Sequence, residues 1–508
     1  MTNTSRPATR TANTDKIDIL LKDFKKFLSF ASISNDNKPE HQEQGKQAVK
    51  FLAQLFENMQ YTGVHGATTP KIYYVQKQTS NSISKPKYQL LDKTRLKDDP
   101  KDLQPWGTLL ALFEFDPKKP WIIVYGHYDV QSVDLNAWHG QNPFEPKIIG
   151  DIVIARGASD NKGRIWASIV AINHLLEQLK QNNHRQTPQY NIAFMIEGEE
   201  ERTGKTVFAA TDMLLELLGP NANIAWAYVN DQTWLTDEKP SVIYSLRGAV
   251  MFELTLKTAQ HPLHSGTYGN VVLNAGNLAG YIVFKLKDIL RNRLRIDRLN
   301  RLVRTPSKHE LEYLEKVSPT WEELKQISGA FCVTKYRQKG KTWAPLQLTG
   351  LRPSLDVNGL VAGNIVHGAT VTIIPDTARI KFSIRTVPYM TVEKTTLLVK
   401  SYVQKLLKKF KGVKYELTVI ASAEYTYLDR QHPVIQKTYK AMQKAFGKAY
   451  IVPSGSTVPI VGYLASKKIP VSIPALGKPS DRVHAPFEQF ELSRIHKGAT
   501  VLLEMMEG

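Results

Sequence analysis

Apolar residues recur at helical spacing near the start of the chain. Ile17, Leu20, Leu21, Phe24, Phe27 and Leu28 fall on one stripe, and this 3.6-residue period predicts an amphipathic helix over 15–30. A second helix is expected over about 41–60. Residues 76–106 are polar, with Ser, Lys, Pro and Asp prominent, and read as a long surface excursion or insertion. The rhythm then changes. Short apolar runs at Leu109–Phe115, Trp121–Tyr125, Ile192–Ile196 and Ala225–Val229 predict strands, with a helix at Arg164–Leu179 between them. Alternation of this kind predicts an α/β fold, a mostly parallel sheet with helices on both faces.

A different order follows from residue 246. A strand at Ala249–Leu256, a helix over about 273–292, strands near 355–360 and at Thr370–Thr386, a helix over about 391–409 and a strand at Tyr415–Ile420 spell β-α-β-β-α-β. That is the ferredoxin-like arrangement, expected here as a discrete domain inserted into the first. The α/β pattern resumes with a helix at 433–445, a strand at 470–474 and a helix at 490–506. The expected division is a disordered tail at 1–14, the first domain at 15–245, the insertion at 246–422 and the remainder of the first domain at 423–508. No internal repeat is present.

Composition narrows the chemistry. A 508-residue chain with 42% hydrophobic and 22% charged residues has ample material for a core and suits a soluble protein. Its single cysteine, Cys332, excludes an intramolecular disulfide and a multi-thiolate metal site. Any metal must therefore rely on His, Asp and Glu. The opening residues lack the apolar stretch of a secretory signal, and no run reaches the ~18 apolar residues of a membrane span. A cytoplasmic protein with no membrane partner is expected. The formal charge of +20 is concentrated in Lys287–Arg304 and Lys405–Lys414. Both mix leucines with the charges at helical spacing, which reads as solvated helix faces rather than a nucleic-acid site.

Candidate chemistry gathers where strands end. In Trp121-Ile-Ile-Val-Tyr-Gly-His127-Tyr-Asp129 an apolar strand delivers a histidine and an acid two positions apart. Residues so spaced on an extended chain point the same way, and a carboxylate beside an imidazole can fix its tautomer for metal binding. Asp160 lies in Arg156-Gly-Ala-Ser-Asp-Asn-Lys-Gly163, a glycine-rich turn opening a helix, where a carboxylate also serves as a cap. Glu199-Glu200-Glu201 follows a buried strand, and crowded acids repel one another unless a cation offsets them. Adjacent acids also permit one to bind metal while its neighbour acts as general base. Asp231 follows another strand, and His484 lies in Ser480-Asp-Arg-Val-His-Ala-Pro486. The set reads as a metallohydrolase site.

These segments resemble the co-catalytic di-zinc peptidase family that includes carnosinase, cytosolic non-specific dipeptidase, glutamate carboxypeptidase, succinyl-diaminopimelate desuccinylase and aminoacylase. The similarity runs from about residue 17 to the end. It is nearest to the dipeptidase branch through Gly126-His-Tyr-Asp-Val-Gln131, Pro143-Phe-Glu-Pro146, Arg156–Gly163, Ser245-Leu-Arg-Gly248 and Leu263-His-Ser-Gly266. The resemblance implies a zinc-peptidase-like catalytic domain with an inserted lid and dimerisation domain. It implies two divalent cations per subunit, zinc first, with Mn²⁺ or Co²⁺ acceptable on ligand type. His127, Asp160 and Asp231 would hold one; Asp160, Glu201 and His484 would hold the other. Asp129 would orient His127, and Glu200 would be the base for a metal-bridging hydroxide. The family's Glu-Glu, one residue, Gly-Ser pattern is here Glu200-Glu201-Arg202-Thr203-Gly204; a shift by one would make Glu199 the base, but Glu199-Glu200 fits that spacing no better and the preceding Gly198 favours Glu200. His264 would reach the partner's active site in a homodimer and stabilise the oxyanion. Arg385, in Phe382-Ser-Ile-Arg-Thr-Val-Pro388, would grip a substrate carboxylate, and Thr372 and Ser456 would contact the substrate. Pro262 departs from the Asp that usually precedes Leu-His-Ser-Gly in that branch.

The expected activity is cleavage of dipeptides or short peptides. An N-acyl-amino-acid amidohydrolase with the same metal chemistry is the alternative enzyme. A catalytically silent binding protein with a basic surface is the alternative from another class.

Overall fold

The computed structural model describes residues 11–63, 66–78, 87–97, 103–181, 188–202, 204–338, 340–364 and 371–507, with the backbone alone at 11–19, 62, 63, 67 and 338. Most of the expected tail (1–10), the side chain of Ile17, parts of the 76–106 segment and Thr370 lie outside the described residues or side chains. The chain forms two compact units. One comprises the residues up to Val242, Arg430–Ile451 and Leu464 onward; the other comprises Ile243–Asp429 and Val452–Tyr463.

The first unit is built on a seven-stranded sheet. Its order is Val471–Ser472, Ile224–Val229, Trp121–His127, Asn191–Glu197, Thr108–Phe113, Lys71–Lys77 and Tyr88–Asp92. The first four strands are parallel to one another and the last three join antiparallel. The sheet is thus mixed, and the parallel half carries the site. Every residue of Trp121–His127 and of Asn191–Glu197 is buried. Strands covered on both faces read as continuous apolar runs, which is why this part was legible. The segment read as a polar excursion holds more structure than expected. Tyr88–Asp92 forms the sheet edge, Lys93–Lys97 forms a helical turn, and Leu91, Leu96, Leu103 and Trp106 are buried. Its apolar residues are too sparse to show a period.

Helices sheath this sheet. Lys162–Gln181 packs against Leu492–Met506, which packs in turn on Pro433–Phe446. The amphipathic reading at the start holds: Thr11–Ser29 is helical, and Phe24, Phe27 and Leu28 are fully buried.

The second unit carries a four-stranded antiparallel sheet in the order Ser354–Ala362, Thr377–Thr386, Gly248–Lys257, Lys414–Ala423. With helices Ala275–Leu286 and Val392–Leu407 it makes the ferredoxin-like β-α-β-β-α-β fold. Strict alternation in Gly248–Lys257 buries Val250, Phe252, Leu254 and Leu256 in the helix-covered core. The basic run after this first helix differs from expectation. The helix stops at Leu286; a short hairpin, Lys287–Asp288 with Arg293–Leu294, and a turn of helix at Asp297–Asn300 follow. Arg295 and Arg291 both approach Asp288, while Leu294, Ile296 and Leu299 enter the core. The lysines of the second basic run are exposed, at the end of helix Val392–Leu407, in the turn after it and at the start of strand Lys414–Ala423. The interval before Ser354 adds helices Lys308–Val317, Trp321–Ser328 and Pro345–Leu351. None of the described helices is long and apolar enough to cross a membrane.

Candidate metal centre

Parallel strands deliver the site because their carboxyl ends line up. His127 pairs in register with Glu197, and Val229 with Tyr125, so His127, the acidic turn after Glu197 and Asp231 emerge at one end of the sheet. Gly126 is required there: a Cβ at this position would lie 2.4 Å from Ile165 Cγ1 and 2.8 Å from Asn161 Oδ1.

Two ligand sets share one residue. His127, Asp160 and Asp231 offer atoms close enough for a single cation, and so do Asp160, Glu201 and His484. Asp160 Oδ1 stands 3.2 Å from His127 Nε2, whereas its Oδ2 stands 3.1 Å from His484 Nε2. The two oxygens of one carboxylate therefore face opposite sets. Asp231 Oδ2 is 3.9 Å from His127 Nε2, and its other oxygen accepts from Asn161 Nδ2 and Arg164 Nη1, each at 3.0 Å. Glu201 Oε2 accepts from Gln131 Nε2 at 2.8 Å. Glu201 Oε1 is buried and lies 3.2 Å from His484 Nε2. A buried carboxylate oxygen that converges with Asp160 Oδ2 on the same imidazole nitrogen suits a cation.

Asp129 does more than orient one ring. His127 Nδ1 lies 3.1 Å from its carbonyl oxygen and 3.4 Å from its carboxylate. That carboxylate also accepts from Ser34 Oγ and from the backbone N–H groups of Glu200 and Glu201. It thereby fixes the turn that presents both acids.

The acidic run divides cleanly. Glu199 is buried and accepts from the N–H groups of Lys205 and Thr206, the Thr206 hydroxyl and Lys77 Nζ. It closes its own loop and belongs to neither ligand set. Burial, joined by Asp231, Glu201 and Glu197, holds the Glu200 carboxyl well above the usual carboxylate range despite His127 nearby. Burial likewise pushes Glu197 up to about 8, its Oε2 accepting from Tyr125 Oη at 2.7 Å. Hydrogen bonds to Asp160 and Glu201 raise His484 to about 10. For His127, burial opposes the charge, but Asp129, Asp160 and Asp231 outweigh it and hold the ring well above its ordinary value.

One supporting residue left no trace in the sequence pattern. Glu488 is buried and accepts from Arg156 Nη1 at 2.7 Å and from the N–H groups of Gly157, Ser159 and Asp160. It anchors the glycine-rich turn from which Asp160 projects. Gly163 is part of the same device, since a Cβ there would fall 2.1 Å from the Ala158 carbonyl oxygen. The loop bearing His484 is strained: Arg482, His484 and Phe487 have φ of 59°, 63° and 58°, uncommon for residues with a Cβ.

The remaining candidates lie in the second unit. His264 is exposed, in a two-residue strand paired with Ile373–Ile374, and Ser265 bonds the Thr372 carbonyl. Arg385 Nη1 donates to Thr457 Oγ1 at 2.6 Å, and Thr457 Oγ1 bonds the Arg247 carbonyl. Ser456 is turned toward Ser454, their hydroxyls 2.8 Å apart. Thr457 and Arg247 are thus neighbours of Arg385 that spacing did not single out.

A family model described as peptidase family M20/M25/M40 matches residues 123–508. The chain is 26% identical over 413 residues to the Cys-Gly metallodipeptidase DUG1 of Saccharomyces cerevisiae, covering 78% of this chain and 81% of that protein. It is 26% identical over 421 residues to the human Beta-Ala-His dipeptidase, covering 78% and 77%. Among solved structures, the Saccharomyces cerevisiae dipeptidase Dug1p superposes with a TM-score of 0.73 at 22% identity, over 97% of this chain and 96% of that one. Human carnosine dipeptidase 1 gives 0.71 at 20% identity, over 97% and 98%.

Proposed function

The chain belongs to peptidase family M20/M25/M40 and is a metallopeptidase of its dipeptidase branch; from that premise we propose that it hydrolyses the amide bond of dipeptides or short peptides at a two-cation centre. The observation that carries this reading is Asp160, whose two oxygens face two separate ligand sets. His127, Asp160 and Asp231 would hold one cation, and Asp160, Glu201 and His484 the other. Nitrogen and carboxylate donors without thiolate suit Zn²⁺, with Mn²⁺ or Co²⁺ as substitutes. Cations held there would supply Lewis-acid chemistry, acidifying a water and polarising the scissile carbonyl.

The chain's own residues do the rest. Asp129 holds His127 Nδ1 so that Nε2 faces the ligand set. Glu200 takes the proton from the attacking water and returns it to the leaving amine, a task suited to a half-buried carboxyl whose proton affinity is raised. Glu199 is unsuited because its Oε1 is committed to the Lys205–Thr206 turn and its Oε2 accepts from Lys77 Nζ. Arg385, with Thr457 on its guanidinium, takes the substrate's terminal carboxylate. Thr372 and Ser456 are assigned lesser substrate contacts. His264, exposed on the ferredoxin-like unit, stabilises the oxyanion in the partner of a cytoplasmic homodimer.

Glu200→Gln tests the mechanism. It is expected to lower kcat by about 10²–10⁴-fold on a dipeptide while the bound metal content stays the same. Near-normal turnover would overturn the assignment. Running the same assay on N-acetyl amino acids decides the substrate class, since faster cleavage of those than of dipeptides points to an amidohydrolase.

A further inference from the structure

The ferredoxin-like unit encloses a cavity of about 280 Å³ that none of the roles above uses. Arg247 and Arg352 line it together with Trp321, Tyr336, Leu348 and Ser354. Among the described residues, no carboxylate lines it. Among the described residues, neither Arg247 nor Arg352 has an Asp or Glu oxygen within ion-pair distance. Arg247 Nε donates to the Gly455 carbonyl at 2.9 Å. Arg352 donates to Tyr336 Oη at 3.3 Å and lies over the rings of Tyr336 and Trp343. The nearby acid Asp356 is bonded to Lys287 at 3.3 Å. Burial and the charge of Arg385 push Arg247 down to about 10, as expected for a guanidinium with too little negative charge around it.

The cavity adjoins the assigned carboxylate grip. Ser354 pairs directly with Arg385 across the sheet, and directly opposed residues stand on one face with Cβ atoms about 4.5–5.5 Å apart. Arg247 makes the second link. Its carbonyl accepts from Thr457, the same hydroxyl that receives Arg385 Nη1. A substrate whose terminal carboxylate lies on Arg385 would therefore have its terminal side chain at the mouth of this cavity.

We propose that the cavity is the specificity pocket for the substrate's C-terminal residue and that it selects an acidic side chain, glutamyl above all. Trp321, Tyr336 and Leu348 supply an apolar wall for the methylene stem, and Arg247 and Arg352 supply the donors for the carboxylate. This inference rests on Arg385 holding the main-chain carboxylate. The chain's formal charge of +20 adds long-range attraction for a substrate with two carboxylates.

The test compares Ala-Glu, Ala-Gln, Ala-Leu and Ala-Lys with the metal-loaded enzyme, adding Ala-Gln with its terminal carboxylate amidated. Ala-Glu is expected to exceed Ala-Gln in kcat/KM by about 10-fold or more, chiefly through KM, and Ala-Lys to be the poorest of the four. Arg352→Gln and Arg247→Gln are expected to bring the Glu-to-Gln ratio close to one. Because that ratio is internal to each variant, loss of folded enzyme cancels from it. A wild-type ratio near one, or an unchanged ratio in both variants, overturns the pocket. Equal cleavage of Ala-Gln and its amide overturns the Arg385 reading instead, and the pocket with it. A required free carboxylate without a preference for glutamate sinks the pocket alone. Turnover of none of the four sinks both.

Discussion

Three adjacent glutamates with the same chemistry have three different fates because the turn after Asn191–Glu197 points them in different directions. Glu199 is spent on backbone N–H groups, Glu201 faces His484 and Asp160, and Glu200 stands half-buried among acids that raise its proton affinity. Asp129 is the hinge of this arrangement, since it binds both the His127 ring and the N–H groups of Glu200 and Glu201. Asp129→Ala is expected to lower metal affinity or kcat/KM by about 10–100-fold, the range for a group that orients a ligand. Isothermal titration with Zn²⁺ beside steady-state kinetics measures it. Loss of less than a factor of two in both would show that the His127 ring is held by other means.

At the scale of the element, the turn before helix Lys162–Gln181 depends on a residue in direct contact with it but 332 positions from Arg156 in sequence. Glu488 gathers Arg156 and three backbone N–H groups there. Glu488→Ala leaves the Arg156 charge buried, so a loss of about 3–5 kcal/mol is expected in denaturant unfolding, with weaker metal binding because Asp160 loses its anchor. A second element-scale device is the pair Arg304–Glu310, bonded at both guanidinium nitrogens and joined by Tyr244 Oη at 3.0 Å. Burial alone would raise the Glu310 carboxyl, but Arg304 prevails and holds it below its ordinary value of 4.5. A depressed folded pKa means that this stabilisation is present above pH 4.5 and is lost as pH falls through the folded value. Glu310→Gln is therefore expected to flatten the acid limb of stability against pH while lowering stability at neutral pH. An acid-unfolding midpoint identical to wild type would contradict this.

At the scale of the molecule, the metal centre collects carboxylates from loops that unfolded chains hold far apart. Cations that bind only the folded chain stabilise it by mass action, about 2.7 kcal/mol at a concentration 100-fold above Kd. A chelator is accordingly expected to abolish hydrolysis and lower Tm together, with Zn²⁺ or Mn²⁺ restoring both. Activity lost on chelation with Tm unchanged would mean that the ligand sets do not carry the cations. The two units also differ in what holds them. The first buries strands on both faces, whereas the second buries one face of an alternating sheet beneath two helices. That contrast explains the two hydrophobic rhythms along the chain.

Periodicity and strand-end residues made much of this legible. His127, Asp160, Glu201, Asp231 and His484 each follow a strand or open a helix in an ordered set of motifs, and the structure brings all five together. The β-α-β-β-α-β order was readable because its strands alternate and its helices keep a 3.6-residue stripe. Other features depended on folding alone. Glu488 is one acid among many until the chain carries it beneath the Asp160 turn, and Tyr88–Asp92 becomes a strand only by pairing with Lys71–Lys77. Thr457 meets Arg385 and its neighbour Ser456 faces Ser454, a division that only the folded loop sets. Local sequence sets which groups can bind a cation or a carboxylate. Long-range pairing of backbone and charge sets which of them meet.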